Sequence, residues 1–297
     1  MEIDNLKDFS LKYTLESGQS FRWSRIDDAY YGVVEGRILK LQQENPSTLI
    51  IESSCNEDDE ILTEFLLHYL DLNRDLASIL SAVNVDAYIA KAIEHFWGMR
   101  VLNQELWETI ASFILSQNNN ISRIRNLIHT LAEKFGERVE FKGYMDYTFP
   151  SAKSLADVGV DEIFSCGTGY RAEYLWHAAS KISNGELQLD KLKNLPYIDA
   201  KNELMNLVGV GEKVADCICL FSLGHLEALP IDVWIKRIFE QIYLGKKASV
   251  TEIRQFASNY FGSYIGYAQQ YLFHFAQSNP NWADPEYLAL KDIKNKK

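Results

Sequence analysis

Lys213 and Asp232 are the side chains of this sequence whose types and spacing best fit covalent chemistry. Lys213 ends the stretch Gly209-Val210-Gly211-Glu212-Lys213 and lies in the first turn of a predicted helix, whose positive end favours a neutral amine over an ammonium. Asp232 follows Pro230 and is predicted at another helix N-terminus, where backbone amides keep a carboxylate ionised. Such a pair suits displacement at a sugar carbon, because the carboxylate stabilises developing positive charge while the amine forms the covalent bond.

A Gly-x-Gly turn between two helical patterns precedes this lysine. Glycines permit backbone conformations that other residues avoid, so the amides of Gly209, Gly211 and the following helix start can approach a phosphate closely. Taken alone, the same turn is more often an ordinary connection between two helices. Cys217 lies four residues after Lys213, and the two side chains are therefore expected on the same helix face.

The elements that must position these residues are of two kinds. Residues 30–54 are rich in alternating strand formers around the turn-like Glu35-Gly36, which predicts a small antiparallel sheet. From about residue 98 the apolar periodicity is helical throughout and includes one long helix over residues 252–276. The predicted fold class is α+β, with a small antiparallel sheet domain followed by an all-α body of two helical subdomains. The predicted domains are residues 1–99, residues 100–195 and residues 196–297.

The net charge bears on the kind of partner. The 297 residues contain 30 Lys and Arg against 41 Asp and Glu, a net charge of −11 that would ordinarily disfavour a nucleic-acid partner. Residues 1–100 hold 9 of the basic and 18 of the acidic residues, so the rest of the chain is nearly neutral. A neutral body can bind DNA through backbone amides and helix starts. The acidity therefore restricts how DNA is held without excluding it.

The cysteines and the N-terminus indicate a reduced, intracellular protein. The spacing of the four cysteines fits neither a disulfide framework nor a zinc or iron–sulfur site. The sequence has no signal-peptide pattern and no apolar run of the roughly 18 residues that a membrane span needs. The acidic residues 57–60 are interpreted as a first helical turn capped by Asn56 rather than as a metal site. We expect a location in the cytoplasm and nucleoid, or in a nucleus, and no membrane partner.

The hairpin sequence resembles that of a known family. Residues 209–213 together with Pro230 and Asp232 resemble the helix-hairpin-helix motif of DNA glycosylases, and residues 209–220 are similar to the 8-oxoguanine branch. The resemblance extends over almost the whole chain. It implies a monomeric, bifunctional repair enzyme, a DNA glycosylase and abasic-site lyase, that removes 8-oxoguanine opposite cytosine from double-stranded DNA. In that reaction Lys213 forms a Schiff base with the sugar and permits β-elimination, while Asp232 supports the first step.

The resemblance also assigns residues to a lesion pocket. Gly18, in Ser17-Gly18-Gln19-Ser20-Phe21, would accept a hydrogen bond from the N–H at ring nitrogen 7, which 8-oxoguanine has and guanine lacks. Gln269 would hydrogen-bond the polar edge of the base, and Phe273 would stack on its face opposite Cys217. Pro230 would stiffen the loop beside the base. Without the resemblance, Gly18 fits a turn before a strand equally well, and Phe273 is more simply interpreted as a core residue.

A second set of residues is assigned by the resemblance to the DNA around the lesion. Asn118 would fill the gap left by the flipped nucleotide, and Arg123 would contact the widowed cytosine. Tyr170 would insert beside the orphan base and kink the duplex, and Arg171 would read the edge of that base. Considered alone, these residues belong to a polar helix end and a helix start.

The sequence departs from the family pattern at two places. Trp234 occupies a position where the family often has a histidine near a phosphate, and the charged residues that usually follow Phe273 are absent. The resemblance implies no iron–sulfur cluster and no metal held by side chains. A cation bound by the backbone carbonyls of Met205, Leu207 and Val210 is left open.

Two rival functions remain at the level of sequence. One is a glycosylase of the same fold that removes another damaged purine, such as an alkylated base. The other is a non-catalytic helix-hairpin-helix protein that only binds DNA. The second rival would need the hairpin glycines but has no use for Lys213 paired with Asp232.

Overall fold

The computed structural model describes residues 1–283, so residues 284–297 of the predicted third domain lie outside the described residues. Five antiparallel strands form the N-terminal sheet, in the spatial order β1-β5-β4-β3-β2. The strands are Glu2–Ile3 (β1), Trp23–Ile26 (β2), Ala29–Val34 (β3), Arg37–Asn45 (β4) and Thr48–Ser53 (β5). The Glu35-Gly36 turn has φ angles of 48° and 82°, the positive values that a two-residue hairpin turn requires. The predicted small sheet and its turn are confirmed, and β1 and β2 extend it.

Helices make up most of the remaining chain. Within residues 1–283 the α-helices are Leu11–Glu16 (α1), Asp59–Tyr69 (α2), Leu76–Val83 (α3), Ala87–His95 (α4), Leu106–Leu115 (α5), Ile121–Phe135 (α6), Ala152–Ile163 (α7), Arg171–Ser183 (α8), Leu189–Leu192 (α9), Tyr197–Met205 (α10), Glu212–Phe221 (α11), Val233–Ile238 (α12), Val250–Phe261 (α13) and Ile265–Ser278 (α14). None of these helices combines the length and apolar character of a membrane span.

Two apolar cores organise the packing. One lies under the sheet, where strand residues such as Leu39 and Ile51 pack with α2. The other fills the helical body and includes α3 and α4, where the ring of Tyr88 lies 5.7 Å from that of Phe275 in α14. The domain boundary at residue 99 stays a prediction. Because α3 and α4 bury their apolar faces in the helical body, the packing favours an earlier boundary.

A short hairpin interrupts the helical part of the chain. Arg138–Phe141 (β6) pairs with Tyr144–Tyr147 (β7), and the turn between them has positive φ at Lys142 and Gly143. The expectation that everything after residue 98 is helical is wrong for this segment. The hairpin owes its position to tertiary contacts, because the Tyr144 ring lies 4.9 Å from that of Tyr31 in the sheet.

Two local predictions about helix ends are also wrong. The single helix predicted over residues 252–276 is two helices, α13 and α14, because Gly262 adopts a φ of +68° and a 3₁₀ turn follows. The predicted cap Asn56 is replaced by Asp58, whose side chain accepts the Glu60 backbone N–H at 2.8 Å. The acidic residues do occupy the first turn of that helix, as expected.

Arg100 ties the N-terminal segment to the helical body. Its guanidinium is buried and donates to the backbone carbonyls of Lys7, Asp8, Asp71 and Arg74 at 2.8–3.1 Å. A planar group with five N–H donors suits such a converging set of carbonyls. One side chain therefore fixes two separate stretches of chain against each other.

Replacing Arg100 by alanine should destabilise the fold strongly. The change leaves four carbonyls without their donor in a buried site, and we expect a loss of about 3 kcal/mol in the free energy of unfolding. Thermal unfolding followed by circular dichroism measures this loss. Arg138→Ala, at an exposed arginine of β6, is the matched control and should cost about 0.5 kcal/mol or less. Equal shifts for the two variants would contradict the role given to Arg100.

Candidate active site

The turn between α10 and α11 is shaped by two glycines with different roles. Gly209 has a φ of +79°, and a Cβ there would lie 2.2 Å from the ring of Tyr174. Gly211 caps α11 with extended backbone, and apart from Gly211 and its two chain neighbours no described residue has a heavy atom within 4 Å of where its Cβ would stand. Gly209 is therefore needed for packing, while Gly211 leaves the helix start open to an anion such as a phosphate.

Lys213 is the second residue of α11, as predicted. Its Nζ lies 3.4 Å from the Ser116 Oγ and 5.5 Å from the centre of the Phe113 ring. Ser116 ends α5 and its hydroxyl donates to the Phe113 carbonyl at 2.8 Å, so its oxygen can accept from the lysine. The amine is thereby held beside the last turn of α5.

Asp232 caps α12, as the sequence indicated. Its carboxylate accepts the backbone N–H of Ile235 at 2.8 Å. Burial raises the pKa of Asp232 above its ordinary value, although backbone hydrogen bonds from Ile235 and Trp234 and the charge of Lys213 act against this rise. The carboxylate is thus anchored by its own helix and lines the same cavity as the Lys213 amine.

A cavity of about 580 Å³ gathers residues from distant parts of the sequence. It is lined by every residue predicted for catalysis or for the lesion pocket: Gly18, Lys213, Cys217, Pro230, Asp232, Gln269 and Phe273. The amide of Gln270 in α14 donates to the Ser17 carbonyl at 3.0 Å and so holds the Gly18 loop against this helix. The structure brings together what the sequence separates by more than 250 residues.

The interior of this cavity has features suited to a flat polar ligand. Gly18 has a φ of +80°, and a Cβ there would lie 3.1 Å from Ile121 Cδ1 and 3.5 Å from Phe273 Cε1, so a side chain would occupy pocket space. Gln269 is only 4% exposed, and its Oε1 has no hydrogen-bond partner among residues 1–283. An unsatisfied buried acceptor favours a ligand that donates a hydrogen bond.

The Cys217 thiol forms part of the cavity wall. Burial raises its pKa to about 11, although nearby Lys213 acts in the opposite direction. The thiol is therefore neutral near pH 7. A neutral sulfur is a soft apolar surface against which an aromatic ring can pack.

The residues predicted to contact the DNA around the lesion lie on two loops that touch each other and at the starts of the helices that follow these loops, α6 and α8. Asn118 has a φ of +52° and is exposed, and its amide donates to the Tyr170 hydroxyl at 3.0 Å. Tyr170 is 49% exposed, and the exposed Arg123 donates to the Gly167 carbonyl at 3.3 Å. Their roles on DNA stay predictions, but their common surface is a feature of the structure.

Arg171 differs from these residues because it is only 5% exposed. Its Nε donates to the Gln117 carbonyl at 2.7 Å, and its Nη1 donates to the Thr168 carbonyl at 3.2 Å. The guanidinium also lies 4.4 Å from the centre of the Tyr170 ring. In this structure Arg171 joins the two loops, and reading a base edge would require it to leave these partners.

Sequence reasoning missed Asp216, the fully buried carboxylate of α11. It accepts hydrogen bonds from the Tyr197 hydroxyl at 2.6 Å and from Arg254 at 2.8 Å, and Lys201 Nζ lies 3.1 Å away. An acidic residue among buried apolar positions three residues after Lys213 was the available signal. The cluster holds α10, α11 and α13 together.

These features define a class: a helical body with a hairpin lysine and a helix-capping aspartate at one cavity. Residues 111–262 match the family described as HhH-GPD superfamily base excision DNA repair protein. Residues 3–110 match the family described as 8-oxoguanine DNA glycosylase, N-terminal domain. The chain belongs to the HhH-GPD superfamily, as the hairpin motif predicted.

Individual proteins resemble the chain over nearly its whole length. The structure of MBOgg1 in complex with a low affinity DNA ligand is 41% identical, with a TM-score of 0.89, over 93% of this chain and 95% of that one. The Clostridium acetobutylicum 8-oxoguanine glycosylase/lyase, in complex with double-stranded DNA containing cytosine opposite to 8-oxoguanine, is 35% identical, with a TM-score of 0.86, over 93% of each chain. The N-glycosylase/DNA lyase of Saccharomyces cerevisiae is 30% identical over 91% of this chain and 84% of its own.

The two hairpin glycines should respond differently to alanine. Gly209→Ala forces a side chain into left-handed backbone and into the Tyr174 ring, and we expect it to lower the free energy of unfolding by about 2 kcal/mol or more. Gly211→Ala is the matched control, since its backbone is extended and the site is open, and should cost about 0.5 kcal/mol. Thermal unfolding of both variants measures the difference. Equal melting temperatures would show that Tyr174 does not restrict the turn.

Proposed function

We propose that the chain is a bifunctional DNA glycosylase and abasic-site lyase that removes 8-oxoguanine from double-stranded DNA. One observation carries the proposal: a lysine amine and an anchored carboxylate line a cavity that also contains the buried Oε1 of Gln269, which has no partner within residues 1–283. A flipped base can enter such a cavity while its sugar stays near the amine. The names of the relatives with 30–41% identity support the same activity.

Lesion recognition rests on donors and acceptors around the base. The Gly18 carbonyl would accept the N–H at ring nitrogen 7 of 8-oxoguanine, whereas guanine presents a lone pair there and would be repelled. The Gln269 amide would pair with the polar edge, so that its buried acceptor gains the partner that it lacks. Phe273 and the neutral Cys217 sulfur would cover the two faces of the base.

The chemistry then proceeds in two steps on Lys213. Its neutral amine forms a bond to the anomeric carbon as the bond to the base breaks, and the base leaves with that electron pair. Asp232 stabilises the positive charge that develops on the sugar. The sugar ring opens to a protonated imine, loss of a proton from C2′ expels the 3′ phosphate, and water later releases the lysine. A primary amine makes strand cleavage available, whereas attack by water would end at the abasic site.

The opposite base would be read by the exposed loops. Asn118 would fill the space left by the extruded nucleotide, and Tyr170 would insert beside the orphan base and kink the duplex. Arg123 and Arg171 would contact the orphan base, for which we propose cytosine. Arg123 is already exposed, whereas Arg171 must exchange the Gln117 carbonyl for DNA. Selectivity for cytosine would therefore depend on a rearrangement of one arginine.

Both chemical steps use groups of the chain itself, and we propose no redox cofactor. A cation on the hairpin carbonyls stays a prediction. The Leu207 carbonyl accepts the Val210 N–H at 3.0 Å, which leaves it a second lone pair for such an ion. Duplex DNA is the proposed partner, and a monomer is the proposed state.

Borohydride reduction should trap a covalent complex between the wild-type protein and a duplex containing 8-oxoguanine. Lys213→Gln should abolish the trap because the imine cannot form. Lys153→Gln, which removes an exposed lysine that lines neither the cavity nor its surroundings, is the matched control and should keep the trap. Running the trap with each base opposite the lesion tests the choice of cytosine. A trap that survives Lys213→Gln would contradict the role of this lysine. Preferred excision of alkylated purines would contradict the proposal that 8-oxoguanine is the substrate.

Protonation of Asp232 should make the excision rate fall at acidic pH. Because burial raises its pKa, the carboxylate takes up a proton at higher pH than an ordinary aspartate, and the rate should fall as the pH falls through that range. Asp232→Asn can still accept the Ile235 N–H, so the fold should persist while excision near pH 7 slows about 10²-fold. Single-turnover base release across pH 4–9 tests both effects. A variant profile that matches the wild-type profile in shape would contradict this assignment.

A further inference from the structure

Two cavities meet at the reactive lysine. The base-sized cavity of about 580 Å³ adjoins an open groove of about 640 Å³ that runs along the start of α11 and over α12. The groove reaches the cap Gly211 and the side chain of Lys236. The residues that line both spaces are Ser116, Asn119, Lys213, Asp232 and Trp234, and we call these five residues the rim.

The rim is the place where the sugar of a bound nucleotide would lie. Under the proposed function, Lys213 bonds to the anomeric carbon, which joins the base to the deoxyribose. If the base fills the cavity that Gln269 and Phe273 line, the sugar must lie at the rim and the flanking strand in the groove. Two rim residues, Lys213 and Asp232, have chemical roles, whereas Trp234 has no role so far.

Trp234 is built to present a fixed flat surface at the rim. It lies in the first turn of α12, and its backbone N–H contributes a hydrogen bond to Asp232. Its ring centre lies 6.4 Å from that of Trp282, in an edge-on arrangement, and 6.0 Å from the Arg237 guanidinium carbon. The indole is half-buried and is supported by neighbouring groups while it lines both spaces.

We infer that the Trp234 indole binds the deoxyribose of the extruded nucleotide and sets the distance of its anomeric carbon from Lys213. The inference rests on the proposed function. A deoxyribose exposes C–H groups on a small, nearly flat ring, which an indole face or edge matches without leaving a polar group unpaired. Lys236, 45% exposed and 4.0 Å from its nearest acidic partner Glu240, would serve the adjacent phosphate in the groove.

A sugar-binding role affects different measurements from a base-binding role. We would compare wild type with Trp234→Ala and Trp234→Phe in three assays: excision of 8-oxoguanine, cleavage at a preformed abasic site, and binding to a duplex with a tetrahydrofuran abasic analogue. An undamaged duplex serves as the binding reference. Trp97→Ala is the matched control variant, because this indole is also partly exposed but lines neither space.

With Trp234→Ala, excision and abasic-site cleavage should both slow about tenfold, because misplacement of the sugar affects both steps. Affinity for the tetrahydrofuran duplex should fall about tenfold, while affinity for undamaged DNA changes less than twofold. Trp234→Phe should recover most of each loss, and Trp97→Ala should match wild type. Thermal unfolding of all variants verifies that the fold is retained.

Three outcomes would overturn the inference. Slower excision with unchanged abasic-site cleavage would assign the indole to the base pocket. Equal loss of affinity for abasic and undamaged duplexes would assign it to general backbone binding. Wild-type values for Trp234→Ala in all assays would exclude any contact. If wild type itself fails to cleave abasic DNA, the proposed function fails, and the tetrahydrofuran binding assay alone still decides the role of Trp234.

Discussion

The site depends on the hydrogen bonds and ion pairs of one buried carboxylate, that of Asp216. A fully buried charge costs several kcal/mol unless it is paired and hydrogen-bonded, and Asp216 meets this requirement only when Tyr197, Lys201 and Arg254 converge on it. Its partners come from α10 and α13, so the carboxylate fixes α11 between them. Because Lys213 lies one turn before Asp216, the same contacts set the direction in which the amine points. The hairpin is thus held by contacts outside the cavity, since neither Asp216 nor its three partners line it, and these contacts do not compete with a ligand.

Much of this site could be predicted because its signals are local. The positive-φ turn at Gly209, the helix starts that carry Lys213 and Asp232, and the Glu35-Gly36 hairpin each follow from a few adjacent residues. The pocket residues Gly18 and Gln269 could be named only through the family resemblance, since nothing local separates them from a turn residue and a core residue.

The missed features depend on contacts between distant segments. The hairpin β6–β7 is positioned by the sheet that it touches, and the burial of Arg171 follows from the Gln117 carbonyl, 54 residues away. In the sequence Trp234 is only a departure from the family histidine, because the sequence does not reveal that its ring borders two cavities. Features that depend on adjacent residues can be predicted from the sequence, whereas contacts between distant residues follow only from the fold.

The bond between Asn118 and Tyr170 has a consequence for how DNA is searched. Together with Arg171 on the Gln117 carbonyl, it means that the two loops proposed to face DNA satisfy each other's hydrogen bonds in the absence of a duplex. Each exchanged hydrogen bond is worth about 1 kcal/mol net, and an intact, well-stacked base pair offers no vacancy to compensate for its loss. Under the proposed roles the loops would impose a threshold that normal DNA does not cross, and Arg171 would stay on its own carbonyl partners along undamaged sequence.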